Sequence, residues 1–257
     1  MEIRNPDIPT TPVATVLFDF DGTISTLRYG WENVMGPMMV DLLGDDATGF
    51  VNSYIDESTG IQTIHQMKWL AEQVRLRNGK AEDPWDYKAE YNRRLMETVS
   101  KRRAALKDGT ASREDYLIAG SAELLTALRE RGVALFVASG TDDHDVKAEV
   151  EALGLAGFFE KVSGAPPDVE GCSKESVIRE LLSSGIPGNR LAVVGDGKVE
   201  IAIGRDNGAR TLGLASDEAV LRGVNPIKRD RLVKAGADAI TGDFLMLEEL
   251  MLFFGLA

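Results

Sequence analysis

The 257-residue chain is expected to form an α/β fold, a parallel sheet flanked by helices and interrupted after its first strand by an all-helical insertion. Three observations lead there. Short apolar, β-rich runs recur along the chain, helical patterns precede the later ones, and one long interval carries helical patterns with no convincing strand.

The first β-rich run is VATVLFDF (13–20), which contains Asp19 and leads into Asp21 and Gly22. The interval without strands follows, from about Ser25 to Ser112, with helical patterns at GIQTIHQMKWLAEQVRLRNG (60–79) and PWDYKAEYNRRLMETVSKRRAALKDG (84–109). An insertion of this length reads as a second, all-helical domain folded over the first: 1–24 and 113–257 make the sheet domain, 25–112 the insertion. Hinges are expected near Ser25 and Thr26 and in the stretch from Arg113 to Gly120. SAELLTALRERG (121–132) then leads to VALFVAS (133–139), and DDHDVKAEVEALG (142–154) to FEKVSG (159–164). SKESVIRELLSSG (173–185) leads to RLAVVGD (190–196), and EIAIGRDNGA (200–209) to ARTLGLA (209–215). VNPIKRDRLVKAGAD (224–238) reads as a helix with Pro226 at its start, running into the last strand, ADAI (237–240), and carries no functional expectation. Ser121 and Ser173 suit helix N-caps, while Gly132, Gly154 and Gly185 suit helix ends.

Charge narrows the choice of partners. With 29 Lys and Arg against 41 Asp and Glu, the net charge of -12 disfavours nucleic acid and anionic membrane. A single cysteine, Cys172, leaves no intrachain disulfide and suits a reducing compartment. The start, MEIRNPDIPTTP, lacks the pattern of a secretory signal, and no run of about 18 apolar residues occurs. A cytoplasmic monomer or homodimer is expected.

In open parallel sheets, ligands collect beyond the carboxyl ends of the strands. The first strand delivers Asp19 and Asp21 there. The second ends in Ser139, Gly140 and Thr141, and a later one in Gly195, Asp196 and Gly197, with Glu200 four residues after Asp196. Lys174 opens a helix at the same edge. Singly, such residues are turn formers, caps or solvated charges. Together they form a cluster of carboxylates that raises the energy of the folded state unless a cation sits among them. Hard oxygen ligands with room for water and substrate phosphate suit Mg2+.

These residues fall into four ordered motifs, DFDGT (19–23), VASG (137–140), Lys174 and GDGKVE (195–200), and with them the chain resembles the haloacid dehalogenase superfamily. The match covers 12–24 and 120–245, and the insertion after the first motif resembles that family's C1 type of helical cap over a Rossmann-like core. The resemblance implies roles. Asp19 would be the nucleophile that forms an aspartyl-phosphate. Asp21 would protonate the leaving oxygen and then activate water. Ser139, with Gly140 and Thr141 beside it, would bind the phosphoryl group, and Lys174 would balance charge. Asp196 would hold Mg2+ together with the Asp19 carboxylate and the Asp21 main-chain carbonyl, with Glu200 in contact directly or through water. The sequence departs twice from the family pattern: Glu200 stands where aspartate is commoner, and Glu175 follows the lysine where proline often does. Dehalogenating members lack an acid at the position of Asp21, so phosphate ester chemistry is expected.

Other features carry less. His65 and His144 are expected to be surface or packing residues, Cys172 an inert small residue, and Lys101 to Arg103 the solvated face of a long helix. In STLRYGWENVMGP (25–37), Arg28, Tyr29 and Trp31 are candidates for touching the non-reacting part of a substrate, Arg28 by meeting a second anionic group. The expected function is a Mg2+-dependent phosphatase of a small phosphorylated metabolite, a sugar phosphate or phosphoglycolate-like acid. The alternatives are a β-phosphoglucomutase-type phosphomutase and a catalytically silent binding module.

Overall fold

The structure, a computed structural model, describes residues 1–166, 169 and 173–257. A two-residue edge strand, β1 (Glu2–Ile3), precedes β2 (Thr15–Phe18), whose residues TVLF are all buried. A strand without polar alternation belongs inside a sheet covered on both faces, and β2 lies there. It pairs in parallel with β3 (Ala134–Asp142) on one side and β5 (Leu191–Gly195) on the other, with Phe18 opposite both Val137 and Val194. With β4 (Lys161–Ala165), β6 (Arg210–Leu214) and β7 (Ala239–Thr241), the sheet of the described residues has seven strands in the order β1-β7-β6-β5-β2-β3-β4. Only β1, antiparallel to β7, breaks the parallel set. The α/β class and the parallel order agree with the expectation. The register sets Phe18, Val137 and Val194 side by side, so the residues that follow these three share one edge.

The insertion that follows β2 carries four helices, α1 (Glu32–Leu43), α2 (Thr48–Glu57), α3 (Thr63–Asn78) and α4 (Pro84–Asp108). Asp83 caps α4 by accepting from the Trp85 N–H at 2.9 Å, and Pro84 occupies the first turn, where a missing N–H costs nothing. Met35, Met39, Val51, Leu70, Tyr91 and Val99 gather in an apolar cluster of their own. The sheet's cluster, including Val16, Phe18, Val137, Val194 and Leu212, is separate. The chain enters and leaves the inserted helices through connectors that pair with each other: Thr26 N–H donates to Tyr116 O at 2.8 Å, and Ile118 N–H to Ile24 O at 3.0 Å.

Six further helices complete the described residues: α5 (Ser121–Glu130), α6 (Asp143–Ala152), α7 (Ser173–Ser183), α8 (Lys198–Asp206), α9 (Pro226–Ala235) and α10 (Leu247–Phe253). The expectation that Ser121 caps a helix is corrected. Gly120 takes that place with φ +83°, in a spot where a Cβ would lie 2.5 Å from the Phe244 backbone, so Ser121 becomes the first helical residue and its buried hydroxyl has no hydrogen-bond partner. Ser173 is the first residue of α7, and the packing expected of Cys172 falls outside the described residues. The solvated face expected at Lys101 to Arg103 holds for the exposed Lys101 and is corrected at Arg102. Arg102 turns inward and donates to the carbonyls of Leu27 at 2.7 Å and Tyr29 at 3.0 Å, tying α4 to the incoming connector.

Candidate active site

The backbone leaving β2 makes a tight turn. Ile24 N–H and Ser25 N–H both donate to Phe20 O, at 2.9 and 3.0 Å, and Gly22 sits at φ +74°. A side chain on Gly22 would place its Cβ 2.5 Å from Asp196 Oδ2, so this turn admits the neighbouring carboxylate only because the position is glycine. Asp19 extends the ladder, its N–H donating to Val194 O at 2.8 Å, and its side chain is buried.

Asp21 is held from β3. Its Oδ2 accepts from Ser139 Oγ at 3.1 Å and from Thr141 Oγ1 at 2.8 Å, while its buried Oδ1 has no hydrogen-bond partner. Ser139 and Thr141, expected as phosphoryl contacts, therefore first of all orient the Asp21 carboxyl. Gly140 lies between them on the cavity wall.

Lys174, in the first turn of α7, stands 3.1 Å from Asp19 Oδ1 and 2.9 Å from Glu200 Oε2. Glu200 is the third residue of α8, and its Oε1 accepts the Gly197 N–H at 2.6 Å, which satisfies an orphan donor at the helix start. Both Glu200 oxygens are thus engaged within the protein. This makes Glu200 first a holder of Lys174, although single oxygens of Asp19, Asp196 and Glu200 still lie within 4.8 Å of one another.

The electrostatics favour an added cation. Burial pushes the Asp19 carboxyl well above the usual carboxylate range; Lys174 pulls it down, and Glu200, Asp196 and Asp21 push it further up. A carboxylate that is to act as a nucleophile must be ionised, and an all-oxygen donor set beside it is what Mg2+ takes. The residues present fit that ion.

Sequence reasoning passed over three residues here. Lys228, from α9, donates to Asp196 Oδ2 at 2.7 Å and to Glu218 Oε1 at 2.5 Å, and Arg231 donates to the Asp196 carbonyl at 3.1 Å. Burial raises the Asp196 carboxyl, but Lys228 and then Arg231 outweigh it and leave Asp196 below its usual range. Glu218 had a signal: it follows β6, whose carboxyl end lies on the same edge. Lys228 had only the helix start at Pro226.

The inserted segment covers the site over a cavity of about 110 Å³, to which it contributes Arg28, Trp31 and Thr59 from its loops, Gln66 from α3, and Tyr91 and Asn92 from α4. Arg28 reaches the cavity with its guanidinium already engaged, Nε and Nη2 donating to the buried Glu149 at 3.0 and 2.7 Å. Trp31 lines the cavity, whereas Tyr29 is half exposed and does not. A second cavity of about 710 Å³ shares Trp31, Thr59, Asp196 and Glu218 with the first. His65 and His144 are exposed, as expected.

A family model for haloacid dehalogenase-like hydrolases matches residues 13–208, which carry all four motifs. The chain belongs to the haloacid dehalogenase-like hydrolases. A search of the curated proteins returned no match. Among solved structures, this hydrolase is similar to a predicted phosphoglycolate phosphatase from Haemophilus somnus, with TM-score 0.65, 17% identity, and coverage of 95% of this chain and 100% of that one. It is similar to a predicted phosphatase from Clostridium acetobutylicum (TM-score 0.63, 20% identity, 94% and 99% coverage). It is also similar to a β-phosphoglucomutase from Clostridium difficile (TM-score 0.67, 13% identity, 94% and 97% coverage). At these identities the likeness shows a shared fold. No helix among the described residues of this hydrolase is long and apolar enough to cross a membrane.

Proposed function

We propose that this hydrolase is a Mg2+-dependent phosphatase that cleaves a small organic phosphate monoester through a phosphorylated Asp19. The observation that carries the reading is the convergence of Asp19, Asp21 and Lys174 on one small cavity, with an acid whose Oδ1 makes no hydrogen bond two residues from the buried nucleophile. An Asp19 oxygen attacks phosphorus, the bond from phosphorus to the leaving oxygen breaks, and Asp21 gives that oxygen its proton. Asp21 then takes a proton from water, the water oxygen attacks phosphorus, and Asp19 leaves free with release of inorganic phosphate. Lys174, shared between Asp19 and Glu200, offsets the negative charge gathered at the nucleophile. Asp19, Asp196 and the Asp21 carbonyl would hold Mg2+, which when bound supplies positive charge against the phosphoryl oxygens.

The cavity's size and its cover by the insertion support a small metabolite, sugar phosphate or phosphoglycolate-like; a cytoplasmic monomer or homodimer is part of the same proposal. The names of the similar phosphatases support hydrolysis; that of the β-phosphoglucomutase supports the second reading, return of the phosphoryl group to a sugar. The full acid set speaks against a silent binding module, because such a cluster is costly to keep without a task.

The test is phosphate release across a panel of sugar phosphates, phosphoglycolate, nucleotides and phosphoamino acids. Release that a chelator abolishes and that Asp19→Asn eliminates is expected. Turnover without metal, or full activity in that variant, defeats the reading. Isomerised sugar phosphate without net release selects the mutase.

A further inference from the structure

Lys228 stands in a place that helix electrostatics oppose. α9 starts after Asn225, whose side-chain oxygen accepts from Ile227 N–H and Lys228 N–H at 3.0 and 3.1 Å, so Lys228 lies in the first turn, at the positive end of the helix dipole. The compensation is visible. Its ammonium lies between Asp196 Oδ2 at 2.7 Å and Glu218 Oε1 at 2.5 Å, with Ser216 Oγ at 3.4 Å, and only 13% of the side chain is exposed. Asp196 is also one of the three acids whose oxygens cluster tightly enough for a metal ion. One carboxylate is therefore held by a lysine and also offered to a cation.

We propose that Lys228 is a resident cation that competes with the divalent ion for Asp196 and so sets the affinity of the metal site, with Glu218 as the seat that retains the lysine when Asp196 turns to the metal. This rests on the Mg2+ part of the reading above. Two positive charges that share one carboxylate repel each other, and partial burial strengthens that repulsion. A lysine that served only to neutralise Asp196 would need one acid, whereas Lys228 has two. The larger cavity borders Lys228, Glu218 and Asp196 together, which gives the ammonium room to move off Asp196 while it keeps Glu218. Lys174 bridges the other two acids of the cluster, Asp19 at 3.1 Å and Glu200 at 2.9 Å, and leaves Asp196 to Lys228.

The experiment is titration of the full chain with Mn2+, followed by loss of the free-ion EPR signal, for the parent, Lys228→Met, Lys228→Arg and Glu218→Gln. Lys228→Met is expected to bind Mn2+ about tenfold more tightly or better, because a cation has gone from beside the site. Glu218→Gln is expected to bind it several-fold more weakly, since Lys228 is left with Asp196 alone, and Lys228→Arg is expected to stay near the parent. If Lys228 merely orients Asp196, removing it weakens binding, and an affinity unchanged or lower in Lys228→Met overturns the proposal. Should that variant show no cooperative melt, Glu218→Gln decides alone, and unchanged or tighter binding there overturns it. Absence of Mn2+ binding in both the parent and Lys228→Met overturns the metal-dependent reading along with this one. Binding by the parent with no gain in Lys228→Met overturns only the role of Lys228.

Discussion

Glu149 grips Arg28 through two nitrogens, Nε at 3.0 Å and Nη2 at 2.7 Å, and the carboxylate is fully buried. The pair joins α6 to the segment that leads into the inserted helices, and the same guanidinium lies 3.5 Å from Asp145 and 3.8 Å from Asp21. Burial pushes the Glu149 carboxyl up to about 7, with Arg28 pulling the other way and losing. An acid whose folded value is raised holds its proton better in the folded state. Its contribution is fully present below its ordinary value near 4.5 and is lost as pH rises through 7. The stability of the parent relative to Glu149→Gln is therefore expected to fall by roughly 3 kcal/mol between pH 4.5 and 8, read from urea unfolding at each pH. A flat difference across that window would contradict the assignment.

Asp21 depends on two hydroxyls of β3 for its aim. Replacing it with Asn removes the proposed proton donor and is expected to lower kcat by roughly a thousandfold. Thr141→Val deletes the shorter of the two hydrogen bonds and leaves Ser139 in place, so a drop of about tenfold in kcat with little change in KM is expected, and Thr141→Ser should restore most of it. A rise in KM at constant kcat would make Thr141 a substrate contact instead.

Arg102 ties the long helix α4 to the carbonyls of Leu27 and Tyr29. Arg102→Ala leaves those acceptors without their charged donor, and a loss of about 1.5–3 kcal/mol is expected by urea unfolding. Limited proteolysis between Leu27 and Glu32 is expected to speed up in step. Unchanged stability together with unchanged cleavage would show that the connector is held by its pairing with Tyr116 and Ile118 alone.

How much could be read beforehand depended on the kind of signal. Strands such as Leu191–Gly195 were legible because a doubly covered strand is apolar throughout, and Asp19, Asp21 and Asp196 because acids at the ends of such strands contradict their surroundings. Glu149 was hidden inside a helical pattern, though its spacing from Val146 and Val150 puts it on the buried face. Lys228 was not legible at all: nothing local to α9 says that its first turn meets the end of β5, since that contact is made by the order of the sheet. The same holds for Arg102, whose neighbours in sequence look like an exposed helix face while its partners lie some 75 residues away.

The hydrogen bond from Ile118 to Ile24 places the exit from the inserted helices beside their entrance. A short turn from one to the other would close the sheet without moving any strand. The residues proposed to carry the chemistry and most of those that cover them are thus joined along the backbone through one pair of adjacent connectors. A lineage built this way can exchange its roof and change what it accepts while the reaction underneath stays the same.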